Sequence, residues 1–132
     1  MPAAHFIRAS ANCSGNDLQV CFMEAGLGSN QTVTITASAT ATATYVCLNR
    51  GGRRPQAANK ITVVADVSVS GEFTSGQSGQ ISGCLFVSPP GPGNFSCPSG
   101  QTLVLQDVSY SNVEVSDDTN GPFIDIPGTF VC

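Results

Sequence analysis

The sequence predicts an all-β fold: an antiparallel immunoglobulin-like β-sandwich of about seven strands, braced by disulfides. Three observations predict it. Apolar and polar residues alternate with a period of two in segment after segment, the pattern of strands buried on one face. Clusters of Gly, Pro, Asn and Ser break those segments, and helix-period apolar spacing persists nowhere. Six cysteines run from Cys13 to Cys132 without a CxxC pair, which fits a disulfide framework better than a zinc or redox site. A β-barrel or jelly roll is the alternative arrangement of the same strands.

Each element has its own justification. His5 to Ala11 reads as a first strand and Leu18 to Ala25 as a second, joined by "SGND", whose Gly and Asn suit a tight turn. "GLGSN" precedes "TVTITASATATATYVC", Thr32 to Cys47, where hydroxyl and apolar side chains alternate. Ile61 to Ser70 alternates again, and "SGQSGQ" leads into Ile81 to Val87. "SPPGPGNFSCPSG" cannot be a strand interior, because its prolines remove ladder donors and fix φ. Thr102 to Ser116 reads as one long bent strand or two short ones, with a slip near Asp107 that suggests a bulge. A closing strand from Phe123 to Cys132 is interrupted by Pro127.

Composition excludes several function classes. The 132 residues suit one domain, 1–132, and 41% hydrophobic content argues against disorder. A net charge of −4 disfavours nucleic acid, which needs a broad basic field. No apolar run approaches the roughly 18 residues of a membrane span. "MPAAHF" has neither a basic nor an apolar leader region, so any export signal is expected to have been removed. No cofactor or metal is expected. His5 is the only histidine and sits far from any nucleophile, so no enzyme is expected either. Asp117 and Asp118 are considered as Ca²⁺ ligands, but an Asx-rich solvated turn is the preferred reading.

Cysteine usage places the chain outside the cytosol, secreted or at a cell surface. Strand facing sends Cys21 and Cys84 outward, which suits a bridge between neighbouring strands. Cys47 and Cys97 each sit where a strand meets a Gly/Pro-rich loop, and a bridge there would tie both connections. Elimination would then leave Cys13 with Cys132, although spacing alone does not decide among the pairings.

The runs Tyr45 to Gly52, Asn59–Lys60 and Phe95 to Pro98, with "GEF" at Gly71 to Phe73 and "EAGLG" at Glu24 to Gly28, resemble small secreted β-rich proteins of actinobacterial type. The resemblance covers most of the chain and carries no catalytic residue over. It implies a Cys47–Cys97 bridge and marks Cys13, Cys21, Cys84 and Cys132 as additions of this sequence.

Two surfaces stand out. Arg50, Arg53, Arg54 and Lys60 put four of the five cations in one segment, a candidate anion-binding loop for an acidic polymer, a cell wall or a neighbouring copy. The Thr-rich strand offers Thr34 and Thr36 on a hydroxyl face that is read mainly as solvated. Ala37, Ala39, Ala41 and Ala43 line a shallow opposite face that another sheet or chain could approach, and with Thr34 and Thr36 they make up the candidate interface. Met1 to Ala11 is a candidate donor or docking strand. The sequence therefore points to a non-enzymatic extracellular structural protein, a self-assembling subunit of a filament, coat or cell-surface layer whose partners are copies of itself. The alternative is a secreted glycan or cell-wall binding module that takes polysaccharide.

Overall fold

The computed structural model of the chain describes residues 3–49 and 59–132. Every regular element among them is a strand, and the strands form two antiparallel sheets. The smaller sheet has the order β1 (His5–Ser14), β2 (Asp17–Ala25), β5 (Ile81–Val87). The larger has the order β4 (Lys60–Thr74), β3 (Thr32–Leu48), β6 (Thr102–Asp117), β7 (Phe123–Ile126), and β8 (Phe130–Val131) also pairs with β6. Pro127 splits the expected closing strand into β7 and β8, so eight strands stand where about seven were expected. The β1–β2 turn closes between Ser14 and Asp17 through Gly15 at φ 61°, a conformation glycine adopts without steric cost.

The two sheets face each other across one apolar core. β2 contributes Leu18, Val20 and Phe22, and β6 contributes Val108, Tyr110, Val113 and Val115. β3 sits between β4 and β6 and is paired along nearly its whole length on both sides. Its alternation sends Val33, Ile35 and Ala37, Ala39, Ala41 and Ala43 inward. Small side chains are needed there because Ala41 lies beside Tyr110 and Ala43 beside Val108 in the neighbouring strand. The alanines thus leave room for large residues of β6 and β2 to interdigitate at core density. Tyr110 is fully buried, and its hydroxyl donates to the Asn16 carbonyl at 2.7 Å. Burial, with Asp17 nearby, pushes that phenol up to about 12.

β6 carries the slip anticipated near Asp107. Its pairing with β3 shifts between the Thr44–Asp107 and Tyr45–Leu105 pairs, and a second shift lies where Asn112 adopts φ 52°. At the first of these shifts Tyr45 donates to the Pro90 carbonyl at 2.5 Å, holding the proline-rich loop against the sheet.

Three bridges brace the molecule: Cys13–Cys132, Cys21–Cys84 and Cys47–Cys97. The first joins β1 to the residue after β8, and thus the smaller sheet to the larger. The second crosses between directly opposed residues of β2 and β5. The third fastens the end of β3 to the proline-rich loop. With no free cysteine left, the chain belongs in oxidising surroundings.

Candidate interaction surface

The outer face of the larger sheet is built by the even-numbered residues of β3 and their cross-strand partners. Thr32, Thr34, Thr36, Ser38, Thr40, Thr42 and Thr44 form its central row. Hydroxyls meet across β3 and β4: Thr32 with Thr74 at 2.9 Å, Thr36 with Ser70 at 2.7 Å and Thr44 with Thr62 at 3.4 Å. Thr40 donates to Asp66 at 3.1 Å. Pairing also brings Glu72, Asp66, Glu114, Asp107 and Asp125 to this face, with Lys60 at its far end. The face is therefore hydroxylated and acidic, and the directly opposed Glu114 and Asp125 are like charges.

Thr34 and Thr36 lie on this face, half-buried. The Thr34 backbone N–H donates to the Thr119 hydroxyl oxygen at 3.0 Å, and Thr36 bonds both Ser70 and Asp118. The four alanines are corrected: Ala37, Ala41 and Ala43 are 0% exposed and Ala39 is 4% exposed. The smaller sheet of the same chain covers them, so they form the core and cannot meet a second copy. The donor role of the N-terminal segment is corrected likewise, because His5–Ser14 is already paired with β2 of its own chain, as the edge strand of the smaller sheet. Lys60 opens β4 and is exposed. Arg50, Arg53 and Arg54 lie outside the described residues.

Asp117 and Asp118 divide their work. Asp118 is exposed and accepts from Thr36 and Ser116. Asp117 is buried rather than solvated, at 1% exposure. Its carboxylate accepts from the backbone N–H groups of Thr119 and Asn120, each at 2.9 Å, and from the Asn120 amide at 2.9 Å. Glu24 of β2 lies beside it, 0% exposed, and sequence reasoning missed this residue. The signal was available: Glu24 continues the Leu18, Val20, Phe22 series and so shares its inward face. No group of three or more His, Cys, Asp or Glu residues among the described residues is placed to hold a metal ion. His5 is exposed and bonds the Ala3 carbonyl.

The edges differ sharply. β7 and β8 have four and two residues and are bounded by Pro122 and Pro127. β1 carries an irregularity between Phe6 and Arg8. β4 instead runs for 15 residues, pairs with β3 without a register shift, contains no proline, and has no partner on its other side among the described residues. Val64 projects outward from it, 65% exposed. A straight edge of that kind presents a row of free N–H and C=O groups to any extended chain. No helix among the described residues is long and apolar enough to cross a membrane.

No protein-family model, curated protein or solved structure matches the chain.

Proposed function

We propose that this protein is a non-enzymatic extracellular structural subunit, secreted or held at a cell surface, that associates with copies of itself. The single observation that carries the reading is the long, unbroken, proline-free edge of β4. Pairing two such edges antiparallel would merge two five-stranded sheets into one continuous sheet, the repeating unit of a filament, coat or surface layer. The side chains select a register. Ser68 on the two-fold axis sets Asp66 against Ser70 and Val64 against Glu72, whereas Asp66 on the axis would oppose two carboxylates.

The other features agree with this reading. Covalent bracing by three bridges suits durable material outside the cytosol; membership among small secreted β-rich proteins and an immunoglobulin-like strand arrangement belong to the same proposal. A glycan platform is less well supported, because the exposed aromatics Phe86 and Phe123 lie on the outer faces of opposite sheets. Light scattering and negative-stain images of concentrated protein test the proposal. Dimers or larger assemblies are expected; monomers at all concentrations, with binding to cell-wall polysaccharide, would replace it with the binding-module reading.

A further inference from the structure

The Glu24 carboxyl is enclosed between the two sheets. Its neighbours across β1 and β5 are Phe6 and Ile81, and the residue opposite Asp117 on β3 is Ile35. Neither Glu24 oxygen receives an N–H or O–H donor among the described residues. Among the described residues the charged side chain that acts on it is Asp117 of β6, itself buried at 1% exposure. Asp118 is turned to Thr36 and Ser116 on the outer face, and His5, beside Ala25 in β1, is exposed and bonds Ala3. Two carboxyl oxygens can bond each other only if one carries a proton. A fully enclosed carboxylate without donor or cation is too costly to keep, so the proton belongs to Glu24. Asp117 keeps its charge because its own turn supplies three donors.

We propose that Glu24 and Asp117 share one proton as a clasp between the two sheets, and that alkaline solution removes this proton and loosens that end of the sandwich. The clasp sits where the 117–121 turn is tied to β3, through the Asp118 N–H to the Thr34 carbonyl at 2.9 Å and the Thr34 N–H to Thr119. Ionising Glu24 would put two like charges side by side in the interior.

The direction of the pH effect follows. Burial first, then the Asp117 bond and charge, raises Glu24 from 4.5 to about 8. Between those values the folded chain holds a proton that the unfolded chain has released, so stability falls as pH rises across the window and levels off above it. Asp117 is burdened by burial, but its bonds to Glu24, Asn120 and Thr119 leave it below the usual 3.8. Its contribution is present above 3.8 and disappears as pH falls through its lowered value. Together the two groups favour a mildly acidic medium.

The test is denaturant unfolding of the disulfide-intact protein across this window, beside Glu24→Gln, whose amide can donate to Asp117 at every pH. The wild-type folding constant should fall by roughly tenfold per pH unit for this one proton, and the Gln variant should lose that slope. An equal slope in both proteins would overturn the clasp. Carbon-13 NMR of the wild-type Glu24 carboxyl keeps the question decidable if the variant fails to fold: titration near 8 supports the clasp, and titration in the ordinary glutamate range overturns it.

Discussion

Along one side of the sandwich β1 lies against β7 and β8, and Cys13–Cys132 staples the two sheets together. Along the other side β4 packs against β5 through side chains, and no disulfide joins them. The contact there is tight: a Cβ added at Gly83 would lie 2.5 Å from the Phe73 ring, and one at Gly71 would lie 3.0 Å from Leu85. Phe73 in turn meets Phe22 edge-on, with ring centroids 5.0 Å apart. One side is thus secured by a covalent tie and short proline-bounded strands. The other is secured by an aromatic ring seated on two glycines, and the outer backbone of β4 has no partner among the described residues.

The largest expected effect comes from the stapled side. Replacing Cys13 and Cys132 together by Ala opens a loop of sequence separation 119 and should lower stability by about 4 kcal/mol, read as a shift in the denaturant midpoint. Next is the packed side, where Gly83→Ala drives a methyl into Phe73. Overpacking of that kind should lower stability by about 1–3 kcal/mol, and adding Phe73→Leu should recover part of it, a coupling that a double-mutant cycle measures. The smallest effect on stability, within about 0.5 kcal/mol, is expected for Val64→Lys with Ser68→Lys, because both positions are exposed. Those lysines should nonetheless weaken association strongly, since charged edges resist strand addition. Sedimentation velocity separates the two readouts.

Much of this architecture is legible in the sequence because a period of two assigns faces. It places Leu18, Val20 and Phe22 inward, Cys21 and Cys84 outward, and the Thr32–Leu48 hydroxyls on one surface. The same rule holds Glu24 inward within the expected Leu18 to Ala25 strand, but a period of two does not say that a carboxyl there is enclosed by a second sheet. The alanine row shows the limit of local pattern: alternation says that Ala37 to Ala43 share a face, while only the topology says that the chain's own second sheet covers it. The free edge of β4 is likewise invisible to periodicity, because edge and central strands of a two-layer sheet alternate alike. β4 also runs beyond the expected Ser70, since Gly71 reads as a break in sequence yet serves the close packing of Leu85 and Phe73.

Amide hydrogen exchange, resolved by residue and repeated over a rising protein concentration, tests the central claim most directly. Pairing through β4 predicts that the amides of Lys60–Thr74 that face the open side gain protection as concentration rises, while those of Phe123–Ile126 stay unchanged. Protection that grows at β1 and β7 instead, or nowhere, would contradict it.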